Sequence, residues 1–416
     1  MSVRKRSWKT SKGVLKQAWV ADYVDQSGKR HIKSFERKKD AEAYQAAARV
    51  EVSAGTHTAD STSITVAEAA ALWLETARQN GLEPATIDAY RQHVNLHINP
   101  FIGRVKLSQL TIAGVREFED HLQKGDEPGL DPSTPPRPRS QPMVRRVRVS
   151  LGALLADAQE RGLVARNVVR DLRARRTRGK ELHAEKRRKG KIKVGVDIPT
   201  REEVRAILAA AEGRWKPLLQ VAVFAGLRAS ELRGLRWQDI DFSARQLHVS
   251  QRADNRKRIG PPKSAAGARA VPLPPLLVNV LREWKLACPK SELGLVFPTG
   301  AGQVEYHSNI LTRGFMPAQV ASGVVVPVLD ANGKPTLKEG EAVLRAKYTG
   351  LHSMRHFYAS WCINPRADGG LGLTPKAVQE RLGHSSITMT MDVYGHLFPR
   401  ADEAEELADA ERSLLG

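Results

Sequence analysis

The sequence predicts a multidomain, mainly α-helical protein with small β elements, and three observations carry that prediction. At 416 residues the chain exceeds what one ordinary core organises, so two or three domains are expected. Helical apolar periodicity fills most of it, while alternating or β-branched runs occur only in short stretches. Proline-, glycine- and lysine/arginine-rich segments interrupt the periodic regions where connections belong.

Residues 1 to about 57 open with a basic tail. "AWVADYVD", a Ser-Gly turn and "RHIKSF" then suggest a small antiparallel sheet, on which "KKDAEAYQAAARV" packs as a helix. A new domain starts at "ADSTSITVAEAAALWLETA", with Val66, Ala70, Leu72, Trp73 and Leu74 expected toward its core. Helices follow in "PATIDAYRQHVNLHI", "IAGVREFEDHLQ" and "MVRRVRVSLGALLADAQERG", so residues 64–172 read as all helical. The Pro-rich stretch near 124–142 reads as a loop, and the basic run over 173–197 as an interdomain linker. The third domain, 198–416, begins at "IPTREEV", where Thr200 and Glu203 have the spacing of a capping box. A short β segment follows "LRWQDIDF", helices resume, and residues 317–350 carry β-branched runs around an Asn-Gly turn signal, an inserted hairpin.

Charge narrows the partner. Sixty-six Lys and Arg against 45 Asp and Glu leave a formal +21, which favours a polyanion. The longest apolar run, "LLQVAVFAGL", is about half the roughly 20 residues of a bilayer span, and no signal sequence opens the chain, so a cytoplasmic protein without membrane attachment is expected. Cys288 and Cys362 are the two cysteines. They form no CxxC pair and read as reduced core residues rather than a disulfide framework or zinc site.

Four polar constellations stand in apolar settings of the third domain. In "VAVFAGLRASELRGLRWQDIDF", Gly226 can end one helix and Ser230 cap the next, leaving Arg228 in the tight connection. In "GPPKSAAGARAVPL", Lys263 falls in the loop of a β hairpin, with Lys257 an alternative in the same hairpin. In "LHSMRHFYASW", His352 and Arg355 share a helix face with His356. His352 and His356 have a metalloprotease spacing, but the HExxH glutamate and a third ligand are missing, so no metal is expected. In "GHSSITMTMDVYGHLF", His384 precedes Tyr394 across a turn and a helix.

Taken singly, each has a bland reading: a loop arginine on local carbonyls, a solvated lysine, packed histidines. Together, two arginines, a lysine, two histidines and a tyrosine suit metal-free phosphoryl transfer. Paired guanidiniums supply donors to nonbridging phosphate oxygens, the tyrosine is a nucleophile, and the lysine protonates the departing 5′ oxygen. No cofactor is required.

"AGLRASELRGLRWQDID", "LHSMRHFYAS" and "LGHSSITMTMDVYGHLF" resemble, in order, the three signature blocks of the tyrosine recombinases, specifically phage or mobile-element integrases. The resemblance implies that Arg228, Lys263, His352, Arg355, His384 and Tyr394 are the catalytic arginine, hairpin lysine, His-x-x-Arg pair, second histidine and nucleophile. It further implies an arm-type DNA-binding domain over 1–57, built as a three-stranded sheet plus helix, a helical core-binding domain over 64–172, and a mixed α/β catalytic domain over 198–416. The expected partners are core and arm-type sites on double-stranded DNA, three further subunits of a synaptic homotetramer, and an excision factor or host DNA-bending protein. The inserts at 124–142 and 317–350 exceed the family's basic pattern. A type IB topoisomerase, or a noncatalytic DNA-binding regulator, are the alternatives. The tail "RADEAEELADAERSLLG" is expected to form a short amphipathic helix docking on protein.

Overall fold

The computed structural model describes all residues except 1, 10, 12–14, 26–27, 56, 127–134, 173–190, 331–332, 400–407, 409–410 and 416. Most of the basic linker, part of the Pro-rich stretch, Asn332 of the insert's turn signal and most of the acidic tail therefore lie outside the described residues. The chain divides into two compact units, Met1–Arg176 and Thr177–Gly416.

The first unit opens with strands β1 (Ser2–Lys9), β2 (Leu15–Val24) and β3 (Arg30–Phe35) in an antiparallel sheet of that order. The segment read as a basic tail is thus a strand, paired from Ser2↔Asp22 to Lys9↔Leu15. Its almost wholly exposed pattern gives no alternation to read; backbone pairing to β2 holds it. Helix α1 (Lys38–Ser53) buries Ala41 and Ala48, small side chains that permit close approach to the buried Val20, Ala21 and Tyr23.

A polar seam joins this sheet to the helices that follow. His57 bonds Tyr23 Oη through Nε2 at 2.9 Å and Glu51 through Nδ1 at 2.8 Å. His31 Nδ1 meets Ser61 Oγ at 3.1 Å, while Lys33 pairs with Asp60. On the other side Lys106 Nζ donates to the Asp60 carbonyl at 2.6 Å and the Ala165 N–H to Thr58 Oγ1 at 3.1 Å. The segment between sheet and helices is therefore pinned from both sides.

Helix α2 (Val66–Gln79) starts at a Thr65/Glu68 capping box and buries Val66, Ala69, Ala70, Trp73, Leu74 and Ala77. Leu72, expected inward, is 39% exposed. At 100° per residue it cannot share a narrow apolar stripe with both Trp73 and Leu74. Helix α3 (Pro84–His93) runs on through a π turn, Val94–Ile98, into Asn99–Ile102. Pro100 has no N–H for a regular ladder, and the wider turn accommodates it. With the Ile112–Lys124 and Gln141–Glu160 helices these elements enclose one core.

In the second unit the Thr200/Glu203 capping box is present, with Glu203 N–H donating to Thr200 Oγ1 at 3.2 Å and Thr200 N–H to Glu203 Oε2 at 2.8 Å. The Trp215–Ala225 helix is buried on nearly every side and forms the centre of a core that also takes in Met354, Tyr358, Leu382 and Tyr394. Strands Ile240–Asp241, Gln246–Val249 and Arg269–Pro272 form a small antiparallel sheet. The insert begins later than its sequence suggests: Met316–Ala321 is helical, and the hairpin pairs Val325–Pro327 with Leu344–Ala346. Its base is anchored where Lys347 Nζ and Tyr348 Oη donate to the Glu203 carboxylate at 2.5 and 2.7 Å. Cys362 is buried, while Cys288 is only half-buried. Among the described residues no helix is long and apolar enough to cross a membrane.

Candidate active site

Three helices of the second unit, His352–Ile363, Pro375–Leu382 and Ile387–Tyr394, together with the turn after Ala225 and the connection that carries His384, hold five of the six predicted residues. The arginines are fixed by carbonyls at a helix end. Arg269 Nε donates to the Arg381 carbonyl at 2.7 Å, Arg355 Nη2 to that of Leu382 at 2.5 Å, and Arg228 Nη2 to that of Gly383 at 3.1 Å. The last carbonyls of a helix have no partners within it and carry partial negative charge, so three successive guanidiniums suit them. Arg355 also donates through Nη1 to the Gly226 carbonyl at 2.7 Å.

Both glycines are required by shape as well as by backbone angle. Gly226 and Gly383 have φ of +60° and +63°, where side chains are strained. A Cβ on Gly226 would stand 2.2 Å from a carbon of the Tyr358 ring, and one on Gly383 2.8 Å from the Ala266 carbonyl oxygen. Arg228 is itself the residue before the Ala229–Gly234 helix, and Glu231 accepts from its backbone N–H at 3.0 Å and from Nη1 at 2.7 Å. The expected Ser230 cap is therefore not the device used. Ser230 lies within the helix, and Glu231 takes the role because its carboxylate also receives Arg269 Nη2 at 2.9 Å. Glu231 is held below its ordinary carboxylate range: Arg269 and Arg228, with the bonds they donate, outweigh the opposing and largest single effect, its burial.

Tyr394 closes the last helix, with 1% of its surface exposed. Its hydroxyl shares a 2.8 Å hydrogen bond with His356 Nδ1. Its ring is parallel to that of His384, with centroids 6.3 Å apart. Burial pushes the phenol up to about 12, against the lowering fields of Arg355 and Arg228. Without DNA the hydroxyl therefore keeps its proton. Burial, then the field of Arg355, Arg228 and Arg269, brings His384 down to about 4, and its Nδ1 meets Thr390 Oγ1 at 3.0 Å. Burial, His352 and Arg355 take His356 down to about 4. His352, exposed at the start of its helix, is lowered by the protein around its ring and by Arg355 and Arg228. Arg355 falls to about 9 through burial and the charge of Arg228, still protonated at neutral pH.

Lys263 stands apart from this cluster. It is exposed in the connection between Ile259–Gly260 and Arg269–Pro272 and makes no hydrogen bond or ion pair among the described residues. The same connection supplies the Ala266 carbonyl that faces Gly383. Lys257 lies in the turn of a separate hairpin, Arg252–Ala253 with Ile259–Gly260, and its ammonium sits 3.6 Å from the centre of the Tyr306 ring. That cation–π contact engages the Lys257 ammonium. The rings of His352 and His356 meet edge to face at 4.5 Å. No group of three or more His, Cys, Asp or Glu suited to a metal occurs among the described residues.

Sequence reasoning missed Glu231, Arg269, Thr390 and the bond from His356 to Tyr394. The position of His356, four residues after His352 and next to Arg355, was the available signal for the last. The other three depend on contacts across 38 residues for Glu231–Arg269 and on a side chain folding back along its own helix for Thr390.

Residues 199–400 match the phage integrase family, and residues 65–123 the phage integrase N-terminal SAM-like domain. A XerC-like tyrosine recombinase of Caldanaerobacter subterraneus subsp. tengcongensis is 26% identical over 407 residues, covering 90% of each chain. The fold is similar to that of the Tn1549 transposon integrase in complex with a circular intermediate DNA, with a TM-score of 0.57 at 19% identity over 84% of this chain and 99% of that one. It is also similar to a lambda integrase tetramer bound to a Holliday junction, with a TM-score of 0.51 at 16% identity over 92% and 96% of the two chains. Matches on both helical and catalytic regions, with the three signature blocks meeting around one buried tyrosine, place the chain in the tyrosine recombinase, or phage integrase, family.

Proposed function

We propose that this recombinase integrates and excises a phage or other mobile element, cutting and rejoining DNA at specific sites through a 3′-phosphotyrosine on Tyr394. One observation carries the reading: the buried Tyr394 hydroxyl lies in the field of two arginines that helix-end carbonyls hold in place. Tyr394 Oη attacks the scissile phosphorus, the bond to the 5′ oxygen breaks, and the phenol's proton passes to solvent while the leaving oxygen gains one from Lys263. Attack by a 5′ hydroxyl from the partner strand reverses these events and releases the tyrosine. A guanidinium has more N–H donors than Arg228 and Arg355 use on carbonyls and Glu231, so both have donors for nonbridging oxygens. The neutral His352 and His384 orient the phosphate.

On this reading, residues 1–57 bind arm-type sites, 64–172 the core site, 173–197 connect them to the catalytic domain, 198–416, and four copies act on two synapsed duplexes. An excision factor or host DNA-bending protein sets direction, and the setting is the bacterial cytoplasm at the nucleoid. The net charge of +21 supports a DNA partner. Tyr394→Phe tests the chemistry. It should bind a core-site duplex as wild type does and form no covalent complex on a nicked suicide substrate, whereas a covalent complex on the mutant moves the nucleophile elsewhere. Exchange of strands between two duplexes then separates recombinase from topoisomerase.

A further inference from the structure

His356 belongs to none of the six predicted catalytic positions, yet among the described residues it makes the direct hydrogen bond to the Tyr394 hydroxyl, at 2.8 Å through Nδ1. We propose that His356 is the positioning residue for Tyr394, accepting the phenol proton in a hydrogen bond at Nδ1 and so setting where the oxygen stands before a phosphate arrives. This rests on Tyr394 being the nucleophile.

Several features hold the pair in register. His356 lies one residue beyond Arg355, whose guanidinium is tied to the carbonyls of Gly226 and Leu382, so its helix cannot slide without breaking both bonds. The edge of the His352 ring supports the His356 ring on the same helix face. Beyond Tyr394, His396 Nε2 donates to the Ile192 carbonyl at 2.7 Å, fixing the chain just after the nucleophile. A phenol buried to 1% exposure needs a partner, and the arginines, being donors only, cannot accept its proton. The imidazole can. A hydroxyl whose proton points into Nδ1 keeps its lone pairs for phosphorus, which is the orientation attack requires. The low proton affinity of His356 keeps Nδ1 available as an acceptor at neutral pH.

The ring atom involved makes the test specific, because an asparagine amide oxygen reaches about where Nδ1 stands and a glutamine amide about where Nε2 stands. Covalent-complex formation on a nicked core-site suicide substrate is measured in the full chain for His356→Phe, His356→Asn and His356→Gln, with core-site affinity measured by gel shift. Phe and Gln should slow cleavage about tenfold or more, the size of one lost hydrogen bond to the reacting group, with affinity unchanged. Asn should return the rate to within about threefold of wild type. Wild-type cleavage by His356→Phe overturns the proposal, as does equal loss in Asn and Gln, which assigns His356 to ring packing. If Phe loses DNA binding through misfolding, the Asn-against-Gln comparison alone decides. A covalent complex formed by Tyr394→Phe instead removes the nucleophile assignment and is read separately.

Discussion

Among the described residues two hydrogen bonds join a buried tyrosine to a histidine, one in each unit, and they differ in what surrounds them. Tyr23 and His57 meet at 2.9 Å beside the N-terminal sheet; Tyr394 and His356 meet at 2.8 Å in the second unit. Burial raises both phenols. Around Tyr23 the nearby charges are carboxylates, Asp60, Asp25 and Glu51, which raise it further; around Tyr394 they are Arg355 and Arg228, which oppose the rise. A phenol–imidazole pair is therefore not in itself a catalytic mark. The sign of the surrounding field separates a hydroxyl stabilised as the neutral acid from one whose anion, on the proposed function, the site accepts.

The comparison breaks most decisively at the arginines. Arg355→Ala should slow covalent-complex formation by roughly 10²–10³, the scale of one lost oxyanion donor. It should also lower the melting temperature, because the carbonyls of Gly226 and Leu382 lose their donor in a buried site. Arg228→Ala should show a similar rate loss with a smaller thermal effect, since its side chain is about one-third exposed and Glu231 keeps Arg269. Equal melting shifts for the two would contradict the difference in burial.

A smaller effect is expected at the glycines. Gly383→Ala adds a Cβ 2.8 Å from the Ala266 carbonyl at a φ of +63°, so the carbonyl that receives Arg228 must move. Cleavage should fall about tenfold, as for one weakened hydrogen bond. Gly28→Ala, at φ +84° with nothing near its Cβ, should cost only the left-handed strain of about 1–2 kcal/mol and leave core-site cleavage unchanged. A rate loss at Gly28 would link the N-terminal sheet to the chemistry.

Acid should act on the catalytic unit through its histidines. His356 and His384, both near 4 in the folded chain, titrate at about 6.5 when unfolded. Between those values the unfolded chain binds more protons, so stability is complete above about 6.5 and is lost as pH falls toward about 4. Denaturant titrations from pH 7 to pH 5 should show this decline, and His384→Asn should make it shallower. An unchanged slope would mean that His384 is protonated in the folded state.

The smallest effect belongs to the other tyrosine. Tyr23→Phe should destabilise the chain by about 1 kcal/mol as its hydroxyl's bonds to His57 and Tyr44 are lost, and spare cleavage of a core site. Loss of covalent complex would give the Tyr23 cluster a part in the reaction that its carboxylate field argues against.

Local sequence by itself determined most helices and some of their ends. The capping boxes at Thr200/Glu203 and Thr65/Glu68 need only four adjacent residues, and Gly226 needs only the absence of a side chain to take a left-handed turn. The signature blocks likewise contained the candidates Arg228, His352, Arg355, His384 and Tyr394, because each stands on or beside a short turn or helix within its block. Outward-facing β1 was illegible, since its pairing lies in backbone groups that any sequence carries. The inward error at Leu72 came from reading an apolar run as a stripe, when α2 has room on its buried face for only some of it. Tertiary structure alone decided which hydroxyl His356 would meet, that Glu231 would hold Arg228 and Arg269 together, and that the carbonyls of residues 381–383 would collect three arginines. Apart from the local Arg228–Glu231 pair, these contacts join residues 27 to 155 positions apart, and whether a charge is favourable there depends on burial and neighbours that no local pattern encodes.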